Sequence, residues 1–242
     1  MPETPVTFQP KPERRRPEAE DVPLSVLYED EFLLAIDKPA GMVVHPTYKN
    51  WSGTLLNGLL WRVRDQGPIV PSIITRLDKQ TSGLVLVALS AVIHAQVQRD
   101  AAAGLVKKEY LAVVEGAPSP DSGTIALPLA RSPEDRRRVV VTDSGQPSET
   151  RYEVLSTTGD QSVVRCELVT GRTHQIRVHL AHNGWPIIGD EVYGTPHPSL
   201  NRQALHAWRL RLTHPVTRQP LEIEAPIPPD LRQVMADQNF TL

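Results

Sequence analysis

The chain has 242 residues, enough to bury a sizeable core as one large domain or two closely packed halves. With 40% hydrophobic, 5% aromatic and 22% charged residues it lies in the ordinary globular range, which excludes wholesale disorder, and no apolar run reaches the length of a bilayer crossing. A formal net charge of -2 lacks the cationic excess of a generic nucleic-acid binder, so any grip on phosphates must be local; the single cysteine, Cys166, excludes an intrachain disulfide and fits a reducing, cytoplasmic setting.

Residues 1–23 carry six prolines and the run Arg14-Arg15-Arg16 with almost no apolar side chains, and they lack the apolar centre of a secretion signal. They read as a disordered tail, and folding is expected to begin near Leu24. Residues 24–28 and 32–36 are two short β-like runs around the acidic turn Glu29-Asp30-Glu31, which predicts a hairpin. Residues 55–63 show helical spacing. Residues 84–89 (Leu-Val-Leu-Val-Ala-Leu) are apolar on both faces and predict a central strand. Ser90 is placed to cap a following helix, and Gly104 to end it.

Further strands are predicted at 110–114, 150–156, 162–168, 205–213 and 220–225. The Pro-, Ser-, Asp- and Arg-rich segment 117–148 reads as an extended hairpin or surface excursion. A helix is expected over 174–183, stopped by Gly184, and a short terminal one over 231–238. Many strands with few helices between them imply an α+β protein whose sheet is mixed and mostly antiparallel, with flanking helices. No internal repeat or nucleotide-binding glycine motif is present.

Asp78 stands in Thr75-Arg76-Leu77-Asp78-Lys79-Gln80-Thr81-Ser82-Gly83, a polar loop leading straight into the buried strand. Taken alone, Asp-x-x-Thr-Ser-Gly is a turn signal. It occurs, however, in an ordered set with Asp37-Lys38-Pro39-Ala40-Gly41-Met42-Val43-Val44-His45-Pro46, Lys107-Lys108-Glu109-Tyr110-Leu111-Ala112 and Thr170-Gly171-Arg172-Thr173-His174-Gln175-Ile176-Arg177-Val178-His179-Leu180. In this order the stretches resemble the RluA family of pseudouridine synthases, over about residues 24–229.

The resemblance implies a pseudouridine synthase-like fold with an active-site cleft in a catalytic domain over 24–242. It implies an isomerase that turns specific uridines of structured ribosomal or transfer RNA into pseudouridine, working as a monomer with no cofactor and no metal. By position, Asp78 resembles the family's catalytic aspartate, Arg177 its basic partner, Tyr110 the ring that packs against uracil, and Ile176 an apolar floor. Arg76 matches the residue that fills the space left by the target nucleotide. Thr75 departs from the family, where His is frequent. Twenty-three proline-rich residues are too few for an S4-type RNA-binding domain, so recognition is expected from the catalytic domain itself.

The chemistry fits those assignments. The bond from ribose C1′ to uracil N1 breaks, the base turns, and C1′ joins C5, so no electrons are gained or lost. An ionised carboxylate in an enclosed pocket is required, as nucleophile or as base, and a guanidinium in contact keeps such a group charged and oriented. The nucleotide must leave its stack, which a flat ring contact offsets.

Two other classes are open to the same residues. A noncatalytic RNA-binding module would make Asp78 dispensable. A metal-dependent hydrolase would use His174, His179 and His182, yet a spacing of five rotates the first two apart on a helix and no His-Glu-x-x-His occurs. Arg131, Arg136, Arg137 and Arg138 form either an RNA-gripping loop or an ordinary solvated turn.

Overall fold

A computed structural model describes residues 16–240. In chain order the elements are β1 (Ser25–Glu29), β2 (Leu33–Lys38), α1 (Leu55–Val63), β3 (Ser72–Ile73), β4 (Ser82–Ala88), α2 (Ala91–Ala102), β5 (Lys107–Glu115) and β6 (Ser122–Ala126). There follow β7 (Leu129–Arg131), β8 (Val139–Val141), β9 (Glu149–Thr158), β10 (Gln161–Leu168), α3 (Gln175–His182), β11 (Leu205–Thr213), β12 (Pro220–Glu224) and α4 (Pro229–Asp237).

Local chemistry accounts for many boundaries. The Asp30 carboxylate accepts the N–H groups of Phe32 (2.8 Å) and Leu33 (2.7 Å), turning the chain between β1 and β2. Thr54 and Asn57 form a reciprocal capping box on α1, and the Ser90 hydroxyl accepts Ile93 N–H to start α2. Gly104 (φ +74°) and Gly184 (φ +83°) follow the ends of α2 and α3 in the left-handed region.

Ten strands form one sheet in the order β1-β2-β4-β11-β5-β10-β9-β6, with β12 added beside β11 and β3 beside β4. Every pairing in it is antiparallel except β4 with β11, where His206 lies opposite Ser82 and Ala207 opposite Gly83. The mixed, mostly antiparallel sheet agrees with the expectation. All seven residues of β4 are buried because both faces are covered. Leu84, Leu86 and Ala88 pack with Ile93 and Val97 of α2; Val85 and Val87 pack with Leu55, Leu59 and Val63 of α1. On the other half of the sheet, α3 and α4 lay Ile176, Leu180, Leu231 and Val234 against β5 and β10. The segment 117–148 splits in two: β6 joins the sheet edge, while β7 and β8 make a separate hairpin.

The tail expected through Pro23 is corrected in part. Asn57 is buried in α1 and needs partners for its amide, and the preceding chain supplies one: its Nδ2 donates to Glu18 O (2.7 Å). Glu20 N–H donates to Asn57 O (3.1 Å), and Val22 rests against Gly58, where no side chain intervenes. Folding thus begins before Leu24. Residues 1–15, the rest of that expectation, lie outside the described residues.

Candidate active site

Asp78 sits on the loop between β3 and β4, and this loop is tied down along its length. The Thr75 hydroxyl accepts Leu86 N–H (2.8 Å), Gly41 N–H donates to Lys79 O (2.8 Å), and Gln203 Nε2 donates to the Thr81 hydroxyl (3.1 Å). Lys38, fully buried, donates its ammonium to the carbonyls of Pro39, Met42 and Lys79. Burial, and Arg202 after it, push that ammonium down to about 7. Immediately beyond the loop, Gly83 takes φ +108°, and a Cβ there would meet Ala207 O at 2.2 Å. Glycine is what lets β4 run this close to β11.

Across the cleft α3 presents Arg177. The preceding Gln175 is buried and joins the 170–172 turn to β9. Its Nε2 donates to Glu149 O and the Thr150 hydroxyl, while its Oε1 accepts from Thr170 Oγ1 and Arg172 N–H. Arg177 Nη1 then donates to Asp78 Oδ2 at 2.8 Å, and its Nε and Nη2 form a bidentate pair with Asp190 at 2.7 and 2.8 Å. The Asp190 side chain is wholly buried and also accepts Val192 and Tyr193 N–H. Burial alone would push the Asp190 carboxyl up, but Arg177 and these two amides hold it below the usual carboxylate range. Burial would likewise lower Arg177; the hydrogen bonds and charges of Asp190 and Asp78 raise it instead. The guanidinium stays charged.

Tyr110, from β5, and Ile176, from α3, are buried beside Asp78 and Arg177, and the four line one small recess together. Burial, and the Asp78 charge after it, raise the Tyr110 phenol well above its ordinary value, so it remains neutral. The recess opens into a cavity of about 620 Å³, where Arg76 is exposed on the wall. All five residues singled out in the sequence, Arg76, Asp78, Tyr110, Ile176 and Arg177, therefore face the same cleft. The same cavity carries Lys108, Arg131 and Arg172, and Asp78 is the one carboxylate on its wall among the described residues. A negatively charged chain thus has a locally cationic cleft.

A family model described as RNA pseudouridylate synthase matches residues 32–182. The chain belongs to that family, whose members isomerise uridine to pseudouridine in RNA. It is 44% identical over 228 residues to ribosomal large subunit pseudouridine synthase D of Nitrosomonas europaea, covering 90% of this chain and 66% of the relative. With the protein of the same name from Xanthomonas campestris the identity is 40%, covering 90% of this chain and 70% of the relative. The chain thus spans about two thirds of these relatives' length. A solved structure of human RNA pseudouridylate synthase domain containing 4 shares the fold, with a TM-score of 0.74 at 24% identity over 90% of this chain and 94% of that one.

Sequence reasoning passed over Asp190. Its surroundings, Gly189-Asp190 and Tyr193-Gly194, carry a turn signal and no visible link to Asp78. It weighed His174 only as a metal ligand of a hydrolase. In the structure His174 adopts φ +55°; its Nδ1 lies 2.8 Å from Tyr193 Oη and its Nε2 3.8 Å from Asp78 Oδ2. Burial, with Arg177 adding to it, lowers the imidazole despite the nearby carboxylates, so it is neutral at pH 7. The Tyr193 oxygen accepts Val139 N–H (2.7 Å), and its own hydroxyl proton is free to go to His174 Nδ1. With Tyr193 as the donor, the ring proton stands on Nε2, facing Asp78.

His179 instead bonds Thr150, Ser148 and Leu127 inside the core. No cluster of three or more metal-ligating side chains occurs among the described residues, and none of their helices is long and apolar enough to cross a membrane. The arginine cluster divides: Arg131 lines the cavity, exposed Arg137 pairs with Asp135, and Arg138 lies over the Tyr193 ring at 5.5 Å.

Proposed function

We propose that this chain isomerises a uridine of large-subunit ribosomal RNA in the cytoplasm, with Asp78 as the reacting carboxylate. The observation that carries the reading is the Asp78–Arg177 pair beside Tyr110, at the bottom of a cleft whose other charges are cationic. In this reading the target nucleotide leaves its stack and enters the recess. Tyr110 and Ile176 hold the uracil between apolar surfaces, and Arg76 occupies the gap in the helix. Asp78 acts on the ribose, at C1′ as nucleophile or at C2′ as base. The C1′–N1 bond breaks, C1′–C5 forms, the proton at C5 is lost and N1 ends protonated. Atoms and electrons balance with no group supplied from outside.

The ribosomal substrate rests on the names of the two relatives, and transfer RNA is the competing outcome. Pseudouridines are mapped across cellular RNA by carbodiimide adducts and primer extension, in cells with and without the gene. Loss of a large-subunit site supports the reading, and loss confined to transfer RNA replaces the substrate. Purified Asp78→Asn should bind the same RNA and form no pseudouridine; turnover at the wild-type rate would remove Asp78 from its role.

A further inference from the structure

Side chains on β5 alternate between two faces. On one face Lys107 pairs with Glu167 (2.9 Å), and buried Glu109 pairs with Arg211 (3.1 Å) and Arg209 (3.7 Å), so each charge has its opposite. On the other face Lys108 stands two residues before Tyr110 and lines the same cavity. It is half-buried, yet no carboxylate or other acceptor among the described residues lies within hydrogen-bond or ion-pair reach of its ammonium. Burial alone, with no counter-charge to offset it, lowers its pKa from the ordinary lysine value.

In the free chain only water serves this half-buried ammonium, so an anion brought to it gains more than one meeting a cation already paired within the chain. The neighbouring surface allows that approach. Position 171 is a glycine, so the wall beside Lys108 is low; even an added Cβ would stand 3.8 Å from Nζ. Arg172 and Arg131 continue the cationic lining outward, and neither has a carboxylate partner among the described residues. We propose that Lys108 is a phosphate clamp: its ammonium binds a backbone phosphate flanking the nucleotide that sits against Tyr110. The geometry favours phosphate over a uracil or ribose oxygen, because a charged group short of a counter-ion gains most from an anion. A nucleotide turned into the recess carries its own flanking phosphates toward this wall. The inference rests on the reading of RNA as substrate.

The test uses the full chain and an unmodified transcript of large-subunit ribosomal RNA. Affinity is measured by filter binding over a range of KCl, with kcat and KM for pseudouridine formation from the same transcript, for wild type, Lys108→Met and Lys108→Arg. Lys108→Met should weaken binding about ten-fold or more, mainly in KM. It should also flatten the slope of log affinity against log salt by roughly 0.7–0.9, the share of one phosphate. Lys108→Arg should restore both. An unchanged slope in Lys108→Met overturns the proposal even if affinity falls, because a neutral partner or a purely structural role releases no counter-ion. If the Met variant does not fold, Lys108→Gln is judged by the same slope. Wild type that binds the transcript and forms no pseudouridine on any RNA sinks the isomerase reading, while the slope comparison still decides Lys108.

Discussion

Arg177 joins two carboxylates: Nη1 meets Asp78 Oδ2 at 2.8 Å, while Nε and Nη2 clasp the fully buried Asp190. The guanidinium fork is thereby fixed in its plane by Asp190 before it touches Asp78. A lysine in its place has one nitrogen and cannot span both groups. Arg177→Lys should lower kcat on the order of 10²-fold, since the carboxylate loses its orientation, with KM for RNA little changed. Single-turnover pseudouridine formation against RNA affinity measures the split, and equal loss in both would count against a positioning role.

Asp190→Asn should affect both folding and activity. The change keeps the shape but removes the charge that balances Arg177, and breaking a buried pair costs about 3–5 kcal/mol. Denaturant titration should show that loss. At temperatures where the variant is folded, kcat should remain depressed, because Asp190, fully buried and outside the cleft lining, holds the guanidinium that contacts Asp78. A stable variant with full activity would contradict this.

Gly83→Ala should unfold or severely weaken the chain. The added Cβ meets Ala207 O at 2.2 Å and takes φ +108°, so the parallel contact of β4 with β11 must open. Strain of about 1–3 kcal/mol for the backbone and a similar amount for overpacking act together. The readout is the denaturation midpoint, and a shift below about 1 kcal/mol would be inconsistent with so tight a crossing.

Acid should destabilise the fold before its carboxylates titrate. Burial lowers His206 from 6.5 to about 4, and His174 and His179 are lowered for the same first reason. Above pH 6.5 His206 is neutral in both states and contributes no pH dependence. Between 6.5 and 4 the unfolded chain binds a proton that the folded chain refuses, so stability falls as pH falls, by about 3 kcal/mol from this ring. Asp190 and Asp230, held below the ordinary carboxylate value, lose their contribution only at lower pH. Urea titrations from pH 7 to 4 should show the decline, and His206→Gln should flatten it. An equal slope in the variant would assign the effect elsewhere.

Much of the fold was legible because its signals are local. The all-apolar run that became β4, the capping residue Ser90 and the stop at Gly104 each act through neighbours in the chain. The end of the tail, residues 16–23, was misjudged because its anchors are not local: proline-rich composition signals a free segment, whereas the buried amide of Asn57 binds the Glu18 carbonyl 39 residues away.

For the site, the sequence by itself determined five members of the cleft, Arg76, Asp78, Tyr110, Ile176 and Arg177, through motif stretches long enough to be recognised, and the class of chemistry expected of one carboxylate and one guanidinium. Only the tertiary structure decided how they meet. Asp78 and Arg177 are 99 residues apart, and Asp190 enters as the second carboxylate because α3 and the turn after it bring it against the same guanidinium. Lys107 and Lys108 are chemically identical in the sequence; the pleat of β5 gives one a glutamate and turns the other into the cavity. Charge pairing depends on distance and burial, and these are properties of the packed sheet that neighbouring residues along the chain do not encode.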